Sequence, residues 1–415
     1  MAQTIFYIIV GIIIFDYFLE RILDYLNSTY WSNKLPKELE GIYDAEKYKK
    51  SQEYEKTKQR FSFVTDSFNL ILMLLMLFLS GFAFVDDLVR QYTQNPILMA
   101  LLFFGILGFA ADILTTPFSV YSTFVIEEKF GFNKTTPKTF ILDKLKGWLL
   151  ALIIGGGLLA LVVWIYESTG EWFWVIAWAA IGGFTIFMTM FYSNLIVPLF
   201  NKQTPLEEGG LRSSIESFAK KVGFRLKNIF VMDGSKRSSK ANAYFSGLGA
   251  KKRIVLFDTL IKDHTNEELV GILAHEIGHY KKKHTLTGTI ISLLQTGLML
   301  YILSLFIGNP LLSEALGAKE ASFHISILAF GLLYSPLSLI LGLVMNIVSR
   351  KNEFTADRFA GENYFPKALQ EALIKLSVNH LSNLRPHPAY VFFYYSHPTL
   401  LQRLKALDKI RYHQS

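Results

Sequence analysis

Apolar residues along this chain gather into long, nearly uncharged stretches, separated by segments dense in Lys, Arg, Asp and Glu. A helix of about 20 apolar residues matches the hydrocarbon thickness of a bilayer. Stretches of this kind fall at 4–24, 63–85, 97–117, 147–166, 173–197, 286–307 and 322–349, and they predict seven transmembrane helices. The first carries Asp16 and Glu20; the third carries Asp112 and ends near Pro117. The first stretch lacks a basic leading region and runs into acidic residues, so its pattern is not that of a signal peptide.

Between the fifth and sixth stretches the pattern changes. Leu211, Ile215, Phe218, Ala219 and Val222 recur at helical spacing. Asn228 to Met232, Asn242 to Ser246 and Arg253 to Phe257 read as strands, the last two as a hairpin around Gly247-Leu248-Gly249. Thr265-Asn266-Glu267-Glu268 has the form of a capping box. Leu269, Ile272, Leu273 and Ile277 then give the following helix a buried side. The expected fold is mainly α: a seven-helix integral membrane protein with a small α+β domain. That domain is discontinuous, 198–285 and 350–415, with membrane helices in 1–197 and 286–349.

Composition agrees. The 415 residues are 51% hydrophobic and 15% aromatic, with mean hydropathy +0.30, above an ordinary globular protein. The net charge of +8 is distributed by topology. Segment 27–62 carries Lys34, Lys37, Lys47, Lys49, Lys50, Lys56, Lys58 and Arg60, and segment 118–146 carries Lys129, Lys134, Lys138, Lys144 and Lys146. Segments 198–285 and 350–415 are also basic, whereas the opposite side offers Arg90 and Lys319. Positive charge marks the cytoplasmic side, so the small domain and the C-terminus are expected there and the N-terminus opposite. This distribution calls for no nucleic-acid partner. The run Lys236-Arg237-Ser238-Ser239-Lys240 is expected as a solvated loop near anionic headgroups. The absence of cysteine excludes disulfides, thiolate ligands and thiol nucleophiles.

The candidate chemistry lies on the capped helix. His275-Glu276-Ile277-Gly278-His279 puts two imidazoles four residues apart on one helical face. They can hold one zinc ion, with Glu276 beside it to act on water. The metzincin continuation fails, because Lys282 and Thr285 stand where Gly and His are needed. A downstream carboxylate remains as third ligand. Glu353 qualifies, and Asp357 follows on the same face, where it can accept the free ring N–H of a ligand histidine. Stretches six and seven, as an antiparallel pair, bring Glu353 back to the histidines at the membrane boundary. This is the arrangement of a metal-assisted hydrolase. A scaffold or transporter-like protein with structural zinc is the alternative of another class. Glu276 and the lack of a fourth protein ligand argue against it. Asn242-Ala243-Tyr244-Phe245 is either a strand edge for an extended peptide or a plain structural hairpin. Asp66 and Asp112 suit either a hydrated interior or a helix–helix hydrogen bond. His264, His284, His324, His380, His387 and His413 have no partner at ligand spacing.

With these residues in place, the chain resembles the type I CAAX prenyl protease family, seven-span membrane zinc metalloproteases with a gluzincin-like domain. The resemblance covers most of the chain. Besides the zinc motif and Glu353-Phe354-Thr355-Ala356-Asp357, it rests on Ile126 to Thr135, Pro198 to Lys202, Asn242 to Phe245, and Ser396 to Leu404. It implies one Zn2+ per chain on His275, His279 and Glu353, with Glu276 as general base. It further implies that His397 and Arg403 contact the substrate or the tetrahedral intermediate, that Asp357 serves near the site as a partner of His275 or a proton donor, and that the spans enclose a hydrated chamber. The implied substrate is the C-terminus of prenylated proteins; general quality control of misfolded or stalled membrane proteins is the other enzymatic reading. His397 itself is expected just outside a helix that starts at Pro398.

Overall fold

The computed structural model describes every residue except 33, 225–228, 248–252 and 411–415. The membrane part begins with α1 (Ala2–Ser28), α2 (Ala45–Phe78), the short α3 (Gly81–Arg90) and α4 (Pro96–Tyr121). It continues with α5 (Pro137–Leu150), α6 (Gly157–Thr169) and α7 (Phe173–Leu195). The small domain adds α8 (Gly210–Lys221) and α9 (Asn266–Lys281). After these come α10 (His284–Phe306), α11 (Phe323–Asn363), α12 (Pro366–Asn379) and α13 (Leu400–Leu407).

Among the described residues, six helical runs are long and apolar enough to cross a bilayer, and one of them, Pro137–Phe200, has 64 residues. As one straight helix it would reach roughly 96 Å, about three times the hydrocarbon thickness. It turns at Gly170, whose φ of 52° is accessible to glycine at little cost, and so supplies two of the seven crossing segments.

Several boundaries differ from expectation. The second stretch does not run to 85. Ser80 adopts a left-handed φ of 53°, ending α2 and starting α3, which buries Phe82, Val85 and Val89. Pro117 does not end the third span, because the helix continues through a π-helical segment, Ser122–Glu127, to Phe130. Segment 27–62, expected as a loop, holds the polar first half of α2, capped by Asp44 on the Lys47 amide. Its Ala, Glu, Lys and Gln content favours helix. Asp66 and Asp112 are each engaged between helices, with Arg21 at 2.7 Å and Lys144 at 2.6 Å.

The small domain contains a four-stranded sheet of β1 (Gln203–Pro205), β2 (Ile229–Met232), β3 (Ala243–Ser246) and β4 (Arg253–Phe257). Its order is β1-β2-β4-β3, with β2 parallel and β3 antiparallel to β4, Tyr244 opposite Val255. The expected strands therefore form, and the hairpin turn itself falls outside the described residues. Among the described residues β3 is an edge strand. The core joins Ile254 and Leu256 of the sheet to Leu269, Leu273 and Ile277 of α9, and it draws in Leu39 and Tyr43 from the segment between α1 and α2 and Tyr48 from the first turn of α2. The Tyr43 hydroxyl donates to the Ser377 carbonyl at 3.1 Å, tying that segment to α12.

The basic run 236–240 is not a free loop. The Arg237 guanidinium donates twice to Asp143, at 2.7 and 2.8 Å, and Lys240 reaches Glu127 at 2.8 Å and lies over the Phe132 ring at 4.2 Å. These contacts lock the sheet onto the membrane helices, which explains why the cations are turned inward. Arg237→Gln and Asp143→Asn should each lower the melting temperature of the detergent-purified protein by about 2–4 °C. The double variant should melt no lower than the worse single one. A double variant whose losses simply add would show that the pair contributes nothing jointly.

Candidate active site

The site is built on α9. Thr265 Oγ1 accepts from the Glu268 amide, and the Glu268 carboxylate accepts from the Thr265 amide, completing the capping box. The helix is buried over Leu269–Ala274, and its turn at 275–279 meets α11. Gly278 permits the meeting: a Cβ there would lie 3.1 Å from the Ala356 backbone. Glu353, one turn before Asp357 on α11, is thereby brought against the histidines.

His275 Nε2 and His279 Nε2 lie 3.0 Å apart, and Glu353 is 3.2 Å from His279 Nε2 and 3.4 Å from His275 Nε2. Metal–nitrogen bonds of about 2.05 Å at tetrahedral angles place neighbouring donors about 3.3 Å apart. The donor set therefore fits one metal ion. A second observation agrees: Glu353 Oε2 is buried with no hydrogen-bond partner, as expected of an atom reserved for a cation. Each imidazole is also held from behind. His275 Nδ1 lies 2.8 Å from Asp357 Oδ1, and Asp357 in turn accepts from Arg403 Nε at 2.9 Å and Nη2 at 2.6 Å. His279 Nδ1 faces His284 Nδ1 at 2.9 Å.

Two cavities meet at these residues. One of about 490 Å³ is lined by Asn242, Ala243, Glu276, His380, His397 and Arg403 among others. The other, about 390 Å³, lies toward α10 and α11 and is lined by Phe245, Glu276, His284, Met345 and His397 among others. Glu276 borders both, and burial pushes its carboxyl up while the imidazoles of His275 and His279 pull it back. His397 Nε2 is 3.3 Å from Glu353, on an exposed side chain. Its position outside a helix is as expected, but the helix starts at Leu400. Thr399 caps it through a second capping box with Gln402, and Pro398 precedes the cap. The T-x-x-Q pattern was readable in the sequence and decides this boundary.

The sequence assigned no role to His284 or His380, and both line the cavities. His380 Nε2 accepts from the Ala241 amide at 2.9 Å, fixing the entry to β3. Burial, aided by Lys240, pushes its imidazole down to about 4, so it stays neutral and accepts.

Residues 26–202 match the model described as CAAX prenyl protease N-terminal, five membrane helices, and residues 205–411 match that of peptidase family M48. The chain belongs to the M48 family. Among similar proteins, CAAX prenyl protease 1 of Saccharomyces cerevisiae is 37% identical over 91% of this chain and 89% of its own length. The CAAX prenyl protease 1 homolog of Homo sapiens is 32% identical over 91% and 90%. The crystal structure of S. mikatae Ste24p superposes with a TM-score of 0.91 at 36% identity, over 97% of this chain and 99% of that one. This M48 protein is thus a multi-pass membrane metalloendopeptidase.

In this M48 enzyme Gly278→Ala should destabilise the fold by about 1–3 kcal/mol and weaken metal retention, because α11 must move away. Thermal melting and metal content after chelator dialysis read the two effects. Unchanged metal retention in a folded variant would show that the helix contact does not position Glu353.

Proposed function

We propose that this enzyme uses zinc to cut the C-terminal peptide from prenylated proteins of the CAAX type. The observation that carries the reading is the meeting of His275, His279 and Glu353 at 3.0–3.4 Å, beside a carboxylate that borders two cavities and a free strand edge. The names of the similar proteins support the substrate class.

Held by His275, His279 and Glu353, zinc would polarise the scissile carbonyl and acidify the attacking water. Glu276 takes the proton from that water and passes it to the leaving amine, a task suited to its place on the border of both cavities. Asp357 accepts a hydrogen bond from His275 Nδ1–H and keeps the Nε2 lone pair directed inward. His397, exposed to both cavities, stabilises the developing oxyanion. Arg403, anchored by Asp357, lines one of these cavities together with His397 and adds positive charge. The substrate lies extended along Asn242 and Ala243, pairing with the edge of β3. Since Phe245 of the same strand borders the second cavity, one extended peptide can run past Glu276 from cavity to cavity.

The same reading places the catalytic part, 198–285 and 350–415, and the C-terminus on the cytoplasmic side, with the N-terminus opposite, following the Lys and Arg distribution. Its partners are a peptide or protein substrate and the surrounding bilayer, with no role for nucleic acid.

A farnesylated CAAX-type peptide and its unprenylated twin, given to detergent-purified protein, test the reading. The farnesylated peptide should be cut preferentially, and Glu276→Gln should lower turnover by about 10²–10⁴-fold with zinc retained. Equal cutting of both peptides would favour a broad membrane-associated peptidase acting in quality control. Cutting of neither peptide would overturn the assigned substrate, and normal turnover by Glu276→Gln would overturn the assigned base.

A further inference from the structure

His284 stands just beyond the zinc-motif helix, where helical spacing gives it no relation to His279. In an unbroken helix position 284 would sit roughly 140° around the axis from His279. The chain does not continue unbroken. Lys283 adopts a left-handed backbone with φ 59°, between the end of α9 and the start of α10. A residue bearing a side chain holds that conformation only where its surroundings stabilise it. The turn folds the first residue of α10 back over α9, so that His284 Nδ1 comes to 2.9 Å from His279 Nδ1.

The remaining contacts fix the direction of every proton. This step rests on the reading of His279 as a metal ligand through Nε2. A neutral imidazole that offers Nε2 to a metal carries its proton on Nδ1, so His279 donates and His284 Nδ1 accepts. His284 then carries its own proton on Nε2, which faces Thr355 Oγ1 at 3.0 Å. Thr355 accepts it and donates its hydroxyl proton to the Asn352 carbonyl at 2.8 Å. The chain of donors ends on the helical turn that bears Glu353. His284 cannot itself be a ligand in this arrangement, because its Nδ1 faces the outer nitrogen of His279 and its Nε2 is taken by Thr355.

We propose that His284 is a positioning residue for the metal centre, setting the tautomer and ring orientation of His279 and linking that ligand to the helix of Glu353 through Thr355. The site is then supported on both sides: a carboxylate–guanidinium pair stands behind His275, and an imidazole–hydroxyl relay stands behind His279.

The test is zinc affinity, measured by chelator competition on the full-length protein in detergent, with the melting of each metal-free variant as a check of folding. His284→Leu and His284→Ala remove the acceptor and should weaken zinc binding by about 10–100-fold. His284→Asn can return an oxygen near the Nδ1 position and should recover most of that loss, a rescue that a purely space-filling role would not produce. Thr355→Val should weaken binding in the same direction by a smaller factor. Wild-type zinc affinity in the folded Leu or Ala variant overturns the proposal, as does an Asn variant no better than Leu. His279→Ala separates this from the reading beneath it. If that variant keeps wild-type affinity, the assigned metal site fails and the proposal with it. If it loses zinc while His284→Leu does not, the role of His284 alone fails.

Discussion

The close contact of two helices at Gly278 is the constraint on which the site depends. Two histidines on one helix can be written into a pentapeptide, but Glu353 belongs to a helix that returns from across the membrane. It reaches them only because a missing Cβ lets α9 and α11 approach with the Ala356 backbone 3.1 Å from where that atom would be. Two turns earlier, on nearly the same face, α9 is equally close to α12, since a Cβ on Gly271 would meet the Leu369 backbone at 3.0 Å. A helix held along one face against α12 and then α11 at backbone distance has little freedom to rotate, and rotation is what would scatter its imidazoles.

Charge balance makes the same cluster self-consistent. Glu276, Glu353 and Asp357 contribute three negative charges when ionised, and Arg403 contributes one positive, which leaves two negative charges around the histidines. A divalent cation neutralises that remainder. Arg403 thus serves a purpose apart from any contact with substrate: it makes Asp357 tolerable in a place that is 0% exposed.

How much of this was legible depended on whether the signal was local. The capping box at Thr265, the spacing of His275 and His279, and the pairing of Glu353 with Asp357 are all relations within one or two helical turns, and the sequence displayed each. The β-strands at 243–246 and 253–257 were visible as apolar runs bounded by turn residues, whereas the three residues of β1 are too short to carry a pattern. Relations made across the fold were not visible. Leu39, Tyr43 and Tyr48 lie among lysines and glutamates, and nothing nearby indicates that they enter the core of the distant sheet. The inward turn of Arg237 and Lys240 depends on Asp143 and Glu127, which come from membrane helices far away in sequence. His284 was hidden by the left-handed turn at Lys283, which breaks the periodicity on which helical reading relies.

α11 carries a consequence of another kind. It is a single helix from Phe323 to Asn363, so the rod that crosses the bilayer and the rod that bears Glu353 are the same object. Pro336 lies inside it and interrupts its hydrogen bonding at one place. From Pro336 to Glu353 the arm is roughly 26 Å long. A tilt of about 2° at that point therefore moves the carboxylate by about 1 Å, and helix tilt is the coordinate by which a span answers to bilayer thickness. The enzyme's geometry is in this sense a lever with its fulcrum inside the span, so that the tilt of the span and the placement of Glu353 are one coordinate.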